Sequence, residues 1–191
     1  MRFKRRRSGI TADLDAGEAG LLAALAEDLL GLLGEGAGEP SGGIEDPLAA
    51  MVGMTSGPVA VPEDPALARL LPNAYADDEQ AAAEFRRFTE QDLREGKRAS
   101  AGIVLATLAP LLGRGGRLVL DRDQVDDWLG VLNDLRLVLG TRLEVTEDTA
   151  LEVPEDDPHA QALLVYGWLG WLQESLLSCV EPRPGGQGAA R

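Results

Sequence analysis

The chain has one cysteine, Cys179, and one histidine, His159. A single thiol cannot close an intrachain disulfide, and this pair cannot supply the usual zinc ligand sets. The lone cysteine also suits a reducing compartment. Aromatic residues make up only 4% of the chain and β-branched residues are few, so an extensive sheet is not expected. No run of 18 apolar residues occurs, so no membrane span is expected. After Arg5-Arg6-Arg7 the sequence continues Ile10-Thr11-Ala12-Asp13-Leu14-Asp15, without the apolar stretch of an export signal; a cytoplasmic location is expected. Bases are in deficit, 18 against 32 acids, for a formal net charge of −14. Five of them, Arg2, Lys4, Arg5, Arg6 and Arg7, precede residue 8, so the rest of the chain has 13 bases against 32 acids. Such a body repels phosphate backbones and leaves the basic arm as the one segment suited to DNA or another anion.

Motifs of common chemistries are missing as well. There is no GxGxxG or P-loop; Gly113-Arg114-Gly115-Gly116-Arg117 precedes a strand pattern and reads as a turn. No Ser or Cys sits in a strand–turn–helix setting, and His159 falls in the first turn of a predicted helix. Asp121, Asp123, Asp126 and Asp127 lack the glycine and terminal Glu of a calcium loop and read as a cap with a solvated face. No metal, cofactor or catalytic residue is expected.

What is present is leucine and alanine at helical spacing, within a hydrophobic fraction of 45%. The segment around which the chain is organised runs from Leu118 to Gly140: a short strand, Asp121 as cap, then Val125, Trp128, Leu129, Leu132, Leu135 and Leu139 on one face, with a glycine stop. Residues 14–34 show the same order, with Asp15 as cap, Leu21, Leu22, Leu25, Leu29, Leu32 and Leu33 as stripe, and Gly34 as stop; a true repeat and chance are equally good accounts. Arg2–Arg7 and Gly9–Leu14 read as a hairpin turning at Ser8-Gly9. Short helices are expected after Asp46-Pro47 and Asp64-Pro65. A long helix is expected over residues 77–95, bent or broken at Gly96, and another over 99–112. Residues 143–153 read as irregular or weakly extended. The last helix, from Asp157-Pro158 to Val180, is apolar around much of its girth and is placed at the centre of the bundle.

The expected fold is therefore mainly α: a single-domain helical bundle with a small two- or three-stranded β-sheet, made of the N-terminal hairpin and a strand near 117–120. Residues 1–14 form the basic arm or hairpin, 15–181 the helical domain with a flexible loop at 35–45, and 182–191 a disordered tail.

Several side chains have two readings. Arg136 borders an apolar stripe and needs a partner there, either Glu84 or Glu90 in a structural ion pair or a bound molecule. Arg86 and Arg94 are each four residues from Glu90 and suit surface pairs; with Arg87 and Arg98 they form a solvated stripe or a docking surface. Cys179 is a buried, inert thiol or a redox-active one. The arm is a strand with exposed arginines or an anion-contacting tag.

The segments Arg69-Leu70-Leu71-Pro72-Asn73-Ala74-Tyr75, Glu84-Phe85-Arg86-Arg87-Phe88-Thr89-Glu90 and Leu132 to Leu143 make the chain similar to a family of high-GC bacterial proteins known as domain of unknown function two thousand and seventeen. The resemblance runs from the basic arm through the last helix. It implies a transcriptional regulator of the oxidative-stress response, acting with an alternative sigma factor on genes for sulfur-carrier-dependent cysteine synthesis. It also implies gene neighbours that encode a proteolytic adaptor and a metal-dependent isopeptidase, and a switch made by an intramolecular disulfide. That switch cannot operate with Cys179 alone; a redox role would need an intermolecular bond or another modification. The expected function is thus a non-enzymatic interaction protein that contacts a sigma factor or RNA polymerase, with DNA touched only through the arm and a homodimer allowed. The alternatives are an accessory of the adaptor or isopeptidase, and an enzyme acting on a small molecule.

Overall fold

A computed structural model describes residues 1–7, 9–34, 61–75, 77–146 and 158–180. The expected loop at 35–45, the helix after Asp46-Pro47, most of 143–153 and the tail lie wholly or partly outside these residues. The described elements are β1 (Lys4–Arg6), β2 (Gly9–Leu14), α1 (Ala16–Gly34), α2 (Pro65–Leu70), α3 (Glu79–Leu108), a 3₁₀ turn (Ala109–Leu111), β3 (Gly116–Leu120), α4 (Arg122–Arg142) and α5 (Ala160–Val180). The protein is mainly helical with a three-stranded antiparallel sheet in the order β1-β2-β3.

The sheet closes one end of the core. Ile10 faces Leu120 and Ala12 faces Leu118 across the β2–β3 ladder, and all four are buried. Alternation sends Asp13, Arg117 and Val119 to the opposite, exposed face. The hairpin is present, but Gly9 belongs to the strand, paired with Arg6, and is not a turn residue. A Cβ on Gly9 would lie 2.4 Å from the Leu120 carbonyl oxygen, so glycine is what lets β2 approach β3 there. Phe3 extends the hairpin inward: its N–H donates to Ser175 Oγ at 2.9 Å and its ring meets Trp128 edge-on.

Both strand–cap–helix units close with the same reciprocal cap. Asp15 accepts the Glu18 N–H at 2.8 Å while Glu18 accepts the Asp15 N–H at 3.0 Å. Asp121 and Gln124 do the same at 2.9 and 3.1 Å. Each cap satisfies amides that the first helical turn leaves without partners.

Helix α4 is the hub, touching α1, α2, α3, α5 and two strands. Its buried face comprises Val125, Trp128, Val131, Leu132 and Leu135, with Asp134 among them. Gly140 does not stop it. The glycine lies against Tyr166, where a Cβ would approach the ring to 3.2 Å, and the helix continues to Arg142. It ends where Glu144 turns left-handed and the Val145 N–H returns to the Gly140 carbonyl at 2.9 Å. Arg142 then hydrogen-bonds Asp64, the cap of α2. Desolvation works to raise the Asp64 carboxyl, but Arg142 and two capped amides outweigh it and hold the group below the usual carboxylate range.

Three more expectations are corrected. On α1, Leu21 is exposed; the buried face uses Ala19, Ala23 and Ala26 between leucines, and these small residues permit close approach of α3. Residues 79–108 form one helix of 30 residues, unbroken at Gly96. Gly96 is exposed with no atom within 4 Å of its Cβ position, and the buried groups of Arg94 and Ala101 anchor the helix on either side. Gly96→Ala is therefore expected to stabilise the protein by about 0.5–1 kcal/mol. Urea denaturation measures this; a loss of stability would mean the glycine is needed for shape.

The third correction concerns α5, which lies at the side of the bundle, packed on α4 and β1. Leu169, Leu172, Leu176 and Cys179 face inward, while Leu164 is 66% exposed and Trp171 44%. Its all-round apolarity reflects a bare outer face rather than central burial. No helix among the described residues is long and apolar enough to cross a membrane.

Candidate functional site

The basic arm and Cys179, far apart in sequence, come together. Arg5, Arg6 and Arg7 at the hairpin end, Arg122 at the start of α4, and Cys179 and Val180 at the end of α5 line one open cleft of about 560 Å³. Arg5 lies opposite Ile10 on the core-facing side of the strand, whereas Lys4 and Arg6 share the outer face with Asp13. Asp13 pairs with Arg117 at 2.9 Å; that bond, with the added charges of Lys4 and Arg6, keeps its carboxyl below the usual range. Cys179 is buried against the core. Arg122 escaped sequence reading because it directly follows a capping Asp and looks like one more exposed helical cation.

The second group lies on α3. Arg94 Nε and Nη2 reach Glu90 at 2.9 and 2.8 Å, Arg86 Nε approaches the same carboxylate at 3.6 Å, and Arg94 Nη1 donates to the Leu33 carbonyl at 3.1 Å. The spacing of these pairs was legible, but their setting was not: Arg86 is 6% and Arg94 4% exposed, so neither belongs to a solvated stripe. The C-terminal end of α1 covers Arg94, a contact across 61 positions that local periodicity cannot register. Arg87 sits 4.5 Å from the Phe88 ring centroid, and Arg98, exposed, donates to the Leu30 carbonyl.

Arg136 pairs with neither Glu84 nor Glu90. Its guanidinium donates to Gln173 Oε1 at 2.7 Å and lies 5.4 Å from the Tyr166 ring centroid, so it locks α4 to α5. Gly170 leaves room for it; a Cβ there would stand 3.4 Å from Arg136 Nε. The charge is met by an amide and a π-face, which require no acid on the partner helix. Glu84 is exposed.

The α3–α4 contact carries polar links that sequence does not show, two of them at acids. Ser100 donates to Asp127 at 2.7 Å, so Asp127 is engaged rather than solvated. Lys97 Nζ reaches the buried Asp134 at 2.6 Å. Asp134 falls between Val131 and Leu135 on an otherwise apolar face, and that misplaced acid was the available signal. Burial pushes its carboxyl above the ordinary range, and Lys97 only partly offsets this. The fold thus holds this proton more tightly than the unfolded chain does. The stabilisation is complete below the ordinary carboxylate pKa and fades as pH rises through the native one. Asn cannot ionise, so the stability of Asp134→Asn relative to the parent is expected to rise from about pH 4 to about pH 7. Urea denaturation across that range checks the sign, and a flat difference would refute it.

His159 is exposed in the turn before α5, its carbonyl accepting the Leu163 N–H. Among the described residues no three His, Cys, Asp or Glu side chains converge as metal ligands.

Exposed aromatics form a distinct surface. Phe85 and Phe88, one turn apart on α3, are both exposed, and Tyr75 meets Phe85 edge-on with centroids 6.0 Å apart. Phe88 is 50% exposed.

Residues 1–180 match the model of the family described as domain of unknown function (DUF2017), and the chain belongs to that family. It is 35% identical over 173 residues to the oxidative stress regulator AosR of Mycobacterium tuberculosis, spanning 84% of this chain and 77% of that protein. It is 36% identical, with the same coverage of each, to the putative oxidative stress regulator AosR of Mycobacterium leprae. No solved structure matches the chain.

Proposed function

We propose that this protein is a non-enzymatic regulator of the oxidative-stress response that works by docking on a sigma factor or RNA polymerase. The observation that carries this reading is the exposed Phe85–Phe88 face of α3, with Tyr75 against Phe85. Aromatic side chains left in water are costly in a chain with so few of them, and they are the residue type that anchors protein interfaces. The acidic body around them favours encounter with a basic partner. The names of the AosR relatives support the stress response. An intramolecular disulfide is not available to a chain whose one cysteine is Cys179, so a redox role of its own would use an intermolecular bond or another modification of that thiol.

The test is affinity purification of the tagged chain, with and without peroxide, beside the Phe85→Ser, Phe88→Ser double variant. Sigma factor or polymerase is expected with the parent and reduced about tenfold or more with the variant. Both rings are exposed, so the variant should melt with the parent. Capture of a proteolytic adaptor or isopeptidase instead would favour a role in protein handling, and equal capture by parent and variant would remove the aromatic face from the argument.

A further inference from the structure

The cleft at the hairpin end inverts the charge balance of the molecule. The chain has 32 acids for 18 bases, and away from the cleft cations commonly find carboxylates: Arg94 with Glu90, Lys97 with Asp134, Arg117 with Asp13, Arg142 with Asp64. Arg5, Arg6, Arg7 and Arg122 line one cavity, and none of them makes an ion pair or hydrogen bond among the described residues. Arg6 faces Asp13 across the outer side of the sheet, but the like charges of Arg5, Arg7 and Arg122 around one space repel one another, and a bound anion relieves that repulsion. A guanidinium presents a planar fork of N–H donors that matches phosphate.

The remaining lining limits the shape of the anion. A cleft of about 560 Å³ is of small-molecule size. Asp121 and Asp126 share its wall, and Asp123 lies in the same first turn of α4. A nucleic-acid duplex would carry its phosphates past these carboxylates, whereas a compact ligand can set its phosphates on the arginines and its uncharged polar groups toward the acids. Val180, 45% exposed at the rim, supplies an apolar surface on which a flat ring can lie, and the two Asp carboxylates can accept from hydroxyl or amino groups.

We propose that the cleft between the hairpin end, the start of α4 and the end of α5 binds a compact organic polyphosphate of the nucleotide class, its phosphates on Arg5, Arg7 and Arg122 and its ring against Val180. The site shares no residue with the aromatic face of α3, so the two readings stand or fall separately.

Calorimetric titration of the full chain with adenosine triphosphate, inorganic pyrophosphate, adenosine and a DNA duplex of about 20 base pairs tests this. The triphosphate should bind, pyrophosphate more weakly, and adenosine not measurably. Arg5→Gln and Arg122→Gln should each weaken triphosphate binding by about tenfold or more, since each removes charge-assisted hydrogen bonds. Both side chains are exposed, so thermal melts should match the parent. Arg69→Gln, exposed on α2, should change nothing. Saturating triphosphate should slow the reaction of Cys179 with a thiol reagent. No heat with triphosphate at millimolar concentration, binding unaltered in both cleft variants, adenosine binding as tightly as the triphosphate, or a duplex that binds more tightly through the same arginines would each overturn the proposal.

Discussion

Trp128→Ala is expected to cost about 3–5 kcal/mol, the range for removal of a large aromatic side chain from a core. Trp128 is 1% exposed on the helix that touches most of the other elements. Its indole N–H donates to Thr107 Oγ1 at 3.1 Å, and its ring meets Phe3 at 5.9 Å with planes 75° apart. The substitution therefore strikes three contacts at once: the α4 core, the α3–α4 link and the seat of the N-terminal arm. For a chain of this length the melting temperature should fall by roughly 6–20 °C. Trp128→Phe keeps much of the volume and loses the indole donor, so it should cost less; Thr107 retains its own bond to the Val104 carbonyl. Calorimetry on the three proteins checks the order. A Trp128→Ala protein that melts within about 2 °C of the parent would show that the arm and α3 are held without this side chain.

Glu90→Ala is expected to cost about 3 kcal/mol, the lower end for breaking one side of a buried ion pair. A surface pair at the same spacing contributes only about 0.3–0.5 kcal/mol. The difference comes from desolvation: Arg86 and Arg94 remain buried when the carboxylate between them is gone. The Arg94 bond to the Leu33 carbonyl persists and limits the damage. Glu90→Gln preserves shape and one acceptor and should fall between. Because the pair is shielded from solvent, the loss should be nearly the same at low and high salt. A loss below about 1 kcal/mol, or one that disappears at high salt, would place the cluster with exposed pairs.

The elements legible in sequence were those whose signal is local. Asp15, Asp64 and Asp121 each mark a helix start by capping chemistry, and each caps where expected. The period of Val125, Trp128, Leu132 and Leu135 identified the buried face of α4. What escaped depends on partners distant along the chain. Gly96 and Gly140 look like stops, yet flanking burial carries the helix through the first and Tyr166 accommodates the second. The apolar girth of α5 suggested a central place, because a sequence cannot tell a buried face from one left bare. At the cleft, the cluster of cations in the arm was visible, but Arg122 joins it through β2–β3 pairing across more than a hundred positions and Cys179 through the packing of α5 on α4 and β1. Arg136 was correctly singled out as needing a partner and wrongly matched, because an amide and an aromatic ring leave no charge pattern to read.

The three-stranded sheet also bears on synthesis. Strand β2 receives its second neighbour only when β3, about 100 residues later, leaves the ribosome, a delay of roughly 5–20 s at ordinary elongation rates. During that interval one side of β2 offers unsatisfied backbone groups to any passing strand. The dense positive charge of the neighbouring arm makes nascent copies repel one another through that wait, as edge-guarding lysines and arginines do in finished sheets.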